Sequence, residues 1–183
     1  MTRRPRGVVS WSVVAAVLLV AVEPVPAQTA SVPVLTAGFL FSFAKFTAWP
    51  ADALPPAREL SMCVVGDEAV RTALEQTVSG HTIDGRSLSV RTLGSSASAS
   101  ACHLLYVSGE SLARATGQLE GVRGAAVFTV SDGERFAESG GIAELARVKG
   151  RMRFTVNLGA ARRARLRLGS QLLNLATIIG EEQ

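Results

Sequence analysis

The stretch LSMCVVGDEAVRTALEQTV, residues 60–78, joins a short apolar segment to a segment with helical periodicity. Residues 60–65 have the length and composition of a buried strand. Gly66 and Asp67 form the turn, and an aspartate in this position commonly caps the N-terminus of the following helix. A strand that leads through a tight turn into a helix is typical of proteins in which strands and helices alternate.

The same alternation continues outward from this stretch. Helices are predicted at residues 34–49, at 108–119 and from Ser170 onward, and strands at 102–107, 125–130, 142–148 and 152–156. The pairs Asp84-Gly85 and Lys149-Gly150 predict hairpin turns. Because alternation favours parallel pairing whereas hairpins are antiparallel, we expect a mixed sheet. The predicted fold class is α/β: a single domain over residues 34–180, with a mixed β-sheet flanked by helices on its faces.

The first 27 residues have the order of a secretory signal peptide. Three arginines precede an apolar run from Val8 to Val22, and Val25 and Ala27 provide the compact residues of a cleavage site. The run has about fifteen residues, fewer than the roughly twenty that a membrane-spanning helix needs. We therefore expect export, cleavage near Ala27 and a soluble mature protein; the alternative is an N-terminal membrane anchor.

Export bears on the two cysteines, Cys63 and Cys102. In an oxidising compartment an even number of cysteines predicts a disulfide. The bond would close a loop of about forty residues and, on the chain-entropy model, contribute up to about 4 kcal/mol. The alternative is a pair of buried free thiols.

Export also bears on the basic character of the chain. Removing residues 1–27 takes away three arginines and one glutamate, which leaves a formal net charge of +2 in place of +4. Residues 162–167 contain four arginines, but an exported protein rarely meets nucleic acid. Because Arg163, Arg165 and Arg167 alternate with apolar residues, we predict a half-buried strand with a solvated face and no nucleic-acid site.

Residue patterns typical of catalysis or metal binding are scarce. His81 and His103 are the only histidines, and neither a CxxC nor an HxxxH spacing occurs. His103 follows Cys102, but neighbouring residues on a strand point to opposite faces, so these side chains should not meet. We therefore predict no enzyme activity, no cofactor and no metal site.

Residues 39–50, FLFSFAKFTAWP, concentrate aromatic side chains in one predicted helix. One stripe of this helix is large and apolar: Leu35, Phe39, Phe43 and Phe46. The other side presents one ring among small residues: Ala37, Phe41, Ala44 and Ala48. Two interpretations stay open. The helix is buried on both sides, or this second side binds another chain, as aromatic anchors in binding hot spots do.

Several segments in a fixed order resemble the YfiR family of periplasmic proteins. They are FAKFTAWP, MCVVG, IDGRSLSVR, CHLLYVS, VFTVSD with FAESGGI, RFTVN and GSQLLNLA, and the similarity extends from Phe39 to Ile178. The resemblance implies a compact and often dimeric α/β domain with a stabilising Cys63–Cys102 disulfide. It also implies a periplasmic repressor that binds the sensor region of a YfiN-type diguanylate cyclase in the inner membrane and lowers cyclic di-GMP synthesis.

Other partners follow from the same resemblance. A YfiB-type outer-membrane lipoprotein sequesters such repressors, and a homodimer is expected. The chain lacks the second cysteine pair that some members carry in the region of residues 136–145, and it has Gly169-Ser170 where members often have two serines. The alternative function is a periplasmic small-molecule-binding sensor module that acts with a histidine kinase or other receptor, with its ligand at strand ends such as Gly66 or Ser108.

Overall fold

The computed structural model describes residues 31–94 and 97–180. Its helices are α1 (Val32–Lys45), α2 (Glu68–Val78), α3 (Thr116–Gly121), α4 (Leu158–Arg163) and α5 (Ser170–Leu173). Its strands are β1 (Thr47–Ala48), β2 (Leu60–Val65), β3 (Leu88–Thr92), β4 (Leu104–Val107), β5 (Phe128–Ser131), β6 (Ala143–Val148), β7 (Arg151–Asn157), β8 (Arg167–Leu168) and β9 (Thr177–Ile179). The predicted signal peptide lies outside the described residues. Within those residues, no helix has the length and apolar character needed to cross a lipid bilayer.

Seven strands form one mixed sheet in the order β3-β2-β4-β5-β6-β7-β9. β2 pairs in parallel with both β3 and β4, and the parallel arrangement continues through β5 to β6. β7 is antiparallel to β6, and β9 joins β7 in parallel at the edge. The predicted single α/β domain with a mixed sheet is therefore confirmed.

Side chains alternate across the sheet and so divide the core into two layers. Leu104 and Tyr106 of β4 lie in the larger layer, which α1 and α2 cover. Leu105 and Val107 of the same strand lie in a smaller layer, which includes Val122 at the end of α3. β2 is buried along its whole length, as predicted for a strand covered on both faces.

Phenylalanine rings hold α1 over the sheet. Phe43 is fully buried and stacks on Phe128 with 5.4 Å between ring centroids. It also meets Phe154 of β7 edge-on at 5.1 Å, and Phe39 contacts the same ring at 5.7 Å. These contacts join α1 to two strands that are far apart in the sequence.

The C-terminal end of α1 differs from the prediction of a helix to residue 49. The helix ends at Lys45, and the Thr47 hydroxyl donates to the Phe43 carbonyl oxygen at 2.7 Å. Thr47 and Ala48 then pair antiparallel with Leu168 and Arg167 in a separate two-stranded sheet. Backbone pairing with a remote segment replaces the last helical turn.

The C-terminal segment also differs from the prediction. A helix capped by Ser170 and reaching Ile179 was expected, but α5 is a single turn with Gly169 in the N-cap position. Residues 177–179 form β9 instead, with Ile178 opposite Val156 of β7. The β-branched residues of this segment suit an extended conformation, and the free edge of β7 supplies the hydrogen-bonding partners.

The arginine-rich segment is not the predicted strand. Residues 158–163 form α4, and only Arg167 and Leu168 pair as β8. The predicted alternation of exposure is nevertheless present, because Ala164 and Leu166 are buried whereas Arg165 is exposed. A turn between helix and strand produces this alternation.

Two glycine turns behave differently. Lys149 and Gly150 adopt positive φ angles of 50° and 77° and connect β6 to β7, which confirms that hairpin. Asp84 and Gly85 adopt similar angles, but only one antiparallel bridge flanks them. The predicted hairpin at residues 81–93 is therefore wrong, because β3 turns away from it to pair in parallel with β2.

The helix predicted after Gly66-Asp67 is confirmed, whereas the one predicted after Ser108 is interrupted. Asp67 caps α2 by accepting from the Val70 amide at 2.9 Å. After Ser108 the chain forms a short 3₁₀ turn, Gly109–Ser111, and α3 begins only at Thr116.

Candidate functional site

The predicted partner face of α1 is largely internal. Ala37 and Ala44 are completely buried in the core, because this side of α1 packs against α2. The expectation that these two alanines bind a partner is therefore wrong. Phe41 is half-buried and meets the ring of His81 edge-on at 5.6 Å, and Ala48 is exposed. Partner binding by Phe41 and Ala48 stays a prediction.

A different part of α1 presents apolar surface to solvent. Val32, Val34 and Leu35 in its first turn are 40%, 47% and 36% exposed. The first turn of α1 contains no acidic residue, and the lone basic residue of the last turn is Lys45. An apolar, uncharged helix end of this kind is typical of surfaces that bind other proteins. We call Val32, Val34 and Leu35 the apolar end of α1.

The chain packs closely at the strand ends near Gly66 and Ser108, where a ligand crevice is predicted. Gly66 has a φ of +83°, and a Cβ placed there would lie 1.9 Å from the Ser111 hydroxyl and 2.6 Å from that of Ser108. Close by, a Cβ on Gly109 would lie 2.9 Å from the Gly133 Cα. The backbone therefore packs closely against Ser108, Ser111 and Gly133 at this edge, and a ligand site here stays a prediction.

Burial and charge also constrain Tyr106 at this edge of the sheet. The side chain is 1% exposed, and burial raises the pKa of its phenol far above the ordinary range, with Asp132 and Asp67 adding to the effect. Asp132 in turn accepts from the Gly109 amide at 2.7 Å. The phenol is therefore protonated at any physiological pH and helps to close this edge of the sheet.

A cavity of about 840 Å³ lies elsewhere, between α3, α4 and the loop of residues 134–141. Its size falls within the range of small-molecule sites in proteins. Apolar side chains from separate elements form part of its walls: Leu112, Leu119, Val122, Val127, Phe136 and Ile142. We call this space the α3–α4 cavity.

The floor of the α3–α4 cavity is polar and ordered by hydrogen bonds. Thr129 is buried, and its Oγ1 accepts from the Ile142 amide at 3.1 Å. Asn157 is also buried; its Oδ1 accepts from the Ala160 amide at 2.8 Å, and its Nδ2 donates to the Ala137 carbonyl at 2.8 Å. Asn157 thereby caps α4 and fixes the loop that closes one side of the cavity.

Charged side chains lie at the mouth of the cavity, where they are exposed. Among the lining residues, Glu138 is paired with Arg135 at 2.9 Å. The guanidinium groups of Arg123 and Arg163 make no hydrogen bond or ion pair with another residue in 31–94 or 97–180. The cavity therefore offers unpaired guanidinium groups at the entrance to an interior that has apolar walls and a polar floor.

His103 is a structural residue. Its Nδ1 accepts from the Ser61 amide at 2.9 Å, and its Nε2 lies 3.4 Å from the Ala53 carbonyl oxygen, which assigns the proton to Nε2. Trp49 Nε1 donates to the His103 carbonyl at 3.2 Å. Burial lowers the pKa of the imidazole, and the charges of nearby arginines lower it further. His103 therefore connects the segment after α1, at Trp49 and Ala53, to the start of β4 through hydrogen bonds.

The disulfide is present between Cys63 of β2 and Cys102, with 5.9 Å between the Cα atoms. Both residues are buried in the smaller core layer. The bond excludes thiol chemistry, and within the described residues no group of three or more His, Cys, Asp or Glu side chains is placed to hold a metal ion. Fold and disulfide together define a disulfide-stabilised α/β domain.

Comparison with known protein families identifies the family of this domain. Residues 33–177 match the YfiR/HmsC-like family, DUF4154, and the chain belongs to that family. The match spans well over half of the chain and agrees with the resemblance drawn from its short motifs. The disulfide fits an oxidising compartment.

Among solved structures, a conserved domain protein from Vibrio cholerae O1 biovar eltor str. N16961 is similar, with 17% sequence identity and a TM-score of 0.48. The alignment covers 80% of this chain and 60% of the Vibrio protein, so the chain spans less than two thirds of that protein's length. No curated protein matches the chain.

The sequence prediction did not identify the α3–α4 cavity. Its floor residues, Thr129 and Asn157, are 28 positions apart in the chain. The one local signal is Asn157 directly before the small residues of α4, a typical N-cap pattern. That pattern predicts a helix start and does not indicate a cavity.

Proposed function

We propose that this protein is a periplasmic regulator of cyclic di-GMP signalling that binds the sensor region of an inner-membrane diguanylate cyclase and represses it. Membership of the YfiR/HmsC-like family over residues 33–177 carries the proposal. The buried disulfide supports a periplasmic location, since such bonds persist in oxidising compartments. Repression would operate by population shift, in which the protein binds the inactive conformation of the sensor more tightly than the active one.

The apolar end of α1 is the surface that we assign to this interaction. Val32, Val34 and Leu35 are exposed together on one helical turn, whereas most large apolar side chains of the described chain are buried or half-buried. Phe41 lies farther along α1 and Ala48 in the following strand β1, and both extend the proposed surface. A YfiB-type lipoprotein or a second copy of the chain would compete for the same surface.

The test is co-expression of the protein with a candidate diguanylate cyclase, measuring cellular cyclic di-GMP and co-purification of the two proteins. We expect the wild type to lower cyclic di-GMP, and a Val34→Glu/Leu35→Glu variant to lose repression and binding. Val148→Glu is the matched control, since Val148 is 50% exposed but lies on the β6–β7 hairpin. Equal repression by both variants would show that α1 does not bind the client.

The α3–α4 cavity favours a second candidate function. Its volume of about 840 Å³ suits a small molecule, so the protein is alternatively a ligand-binding sensor module that acts with a histidine kinase or other receptor. Co-purification with a kinase sensor domain, and not with a diguanylate cyclase, would support this candidate.

A further inference from the structure

We infer that the α3–α4 cavity binds a small amphipathic anion, with the charged group of the ligand at Arg163 and Thr129 and its apolar body against the inner walls. The inference concerns the isolated protein and holds whichever client the protein regulates.

Unused hydrogen-bond donors on the floor and rim indicate the charge of the ligand. Thr129 Oγ1 accepts one hydrogen bond, and its hydroxyl proton has no acceptor among residues 31–94 and 97–180. The Arg163 guanidinium likewise has no acceptor there. A hydroxyl and a guanidinium both donate, so they bind an acceptor, and a carboxylate satisfies them with charge-assisted hydrogen bonds.

Arg163 lies close to the polar residues on the floor of the cavity. A Cβ placed on Gly159 would lie 3.3 Å from Arg163 Nη1 and 3.4 Å from Asn157 Oδ1, so the guanidinium lies beside the Asn157 side chain. The Asn157 backbone amide donates to the Ile142 carbonyl oxygen, and the Ile142 amide in turn donates to Thr129 Oγ1. Arg163, Asn157 and Thr129 therefore line the same side of the cavity, from its mouth to its floor.

The carboxylates that line the cavity do not oppose this assignment. Glu120, Glu134 and Glu138 are exposed at the mouth, where water screens their charge, and Glu138 is paired with Arg135. No carboxylate lines the buried floor. The inner walls are apolar, with Val122, Val127, Phe136 and Ile142 all buried, which selects a ligand with an apolar body.

Displacement of a fluorescent probe tests the inference. Anilinonaphthalene sulfonate, an aromatic anion, would be bound to the purified protein and then displaced with octanoate, octylamine or octanol. These competitors share one alkyl chain and differ in charge. We expect octanoate to displace the probe at concentrations at least about tenfold lower than octylamine or octanol, because only octanoate can accept charge-assisted hydrogen bonds from Arg163 and Thr129.

Substitutions of residues in and beside the α3–α4 cavity test where the ligand binds. Arg163→Gln should weaken octanoate binding about tenfold. Arg162→Gln is the matched control, since Arg162 is the exposed neighbour on α4 and does not line the cavity. Ala113→Trp, at an exposed lining position, should narrow the entrance and weaken the binding of probe and octanoate together.

The outcomes separate clearly. Equal displacement by octanoate and octylamine, or equal affinity in Arg163→Gln and Arg162→Gln, would overturn the assignment of the anionic group. Probe binding that Ala113→Trp leaves unchanged, in a variant with wild-type melting temperature, would place the ligand outside the cavity and overturn the site. Neither result depends on whether the protein represses a diguanylate cyclase, so the two proposals can fail separately.

Discussion

The imidazole of His103 accepts the Ser61 backbone amide at 2.9 Å and links the start of β4 to the start of β2. A protonated imidazole has no lone pair at Nδ1, so this hydrogen bond requires the neutral form. The pKa of His103 is lowered by burial, with a further contribution from the charges of Arg58, Arg91 and Arg86.

We therefore predict that stability falls as the pH decreases below neutrality. The folded-state pKa of His103 lies below its unfolded value of about 6.5. The unfolded state then binds more protons in this window, so the contribution of His103 is complete above about pH 6.5 and is lost as the pH falls through the folded pKa. Chemical denaturation at a series of pH values from neutral to about 5 measures the slope.

His103→Asn should flatten that slope, because an amide oxygen can accept from Ser61 without titrating. His81→Gln is the control, since His81 is exposed. A slope that His103→Asn preserves and His81→Gln abolishes would contradict the assignment.

Removal of the disulfide should cost about 4 kcal/mol of unfolding free energy. Cys63 and Cys102 are 39 residues apart, and the chain-entropy model gives this figure for a loop of that length. A Cys63→Ala/Cys102→Ala double variant avoids free thiols, and urea unfolding measures its stability. An unfolding midpoint equal to that of the wild type would show that the bond does not constrain the unfolded chain.

Two phenylalanines of α1 should differ in their contributions to stability. Phe43 is fully buried between Phe128 and Phe154, so Phe43→Ala should cost about 3–5 kcal/mol. Phe41 is half-buried against His81, so Phe41→Ala should cost roughly half as much or less. Equal losses in thermal and urea unfolding would place Phe41 in the core and remove it from the proposed partner surface.

Helix caps provide a third comparison of stability. Asp67 makes one capping hydrogen bond at 2.9 Å in a partly buried site, so Asp67→Ala should cost about 1 kcal/mol. Asn157→Ala should cost more, about 2 kcal/mol, because it removes a cap and also the hydrogen bond from Asn157 Nδ2 to the Ala137 carbonyl, which keeps the Gly140 amide as its other donor. Ser170→Ala is a suitable control, since that side chain caps nothing. A smaller loss for Asn157→Ala than for Asp67→Ala would mean that water replaces both of its hydrogen bonds.

The apolar end of α1 should tolerate charge. Val34→Glu changes a side chain that is 47% exposed, and surface substitutions usually alter stability by no more than about 0.5 kcal/mol. A melting temperature within a few degrees of the wild type, together with lost binding, is the expected result. A large drop in melting temperature would show that this end is buried in the protein's own assembly.

Local signals in the sequence were sufficient for several elements. The apolar run at residues 60–65, the Asp67 cap and the Lys149-Gly150 turn each depend on neighbours within a few positions, and all three are present in the structure. The prediction of the disulfide likewise required only the expected compartment and the even number of cysteines, and the Cys63–Cys102 bond is present in the structure.

Tertiary structure decided the features that depend on remote segments. Both sides of α1 are apolar in sequence, so the hydrophobic periodicity does not determine which side is buried. In the structure Ala37 and Ala44 pack inward, whereas Leu35 faces solvent. Residues 177–179 are extended because β7 offers them an edge, and the α3–α4 cavity exists only because α3, α4 and the loop of residues 134–141 converge. A sequence window reports the preference of a segment for helix or strand, whereas the choice of face, partner strand and enclosed space depends on contacts that form only when distant parts of the chain pack together.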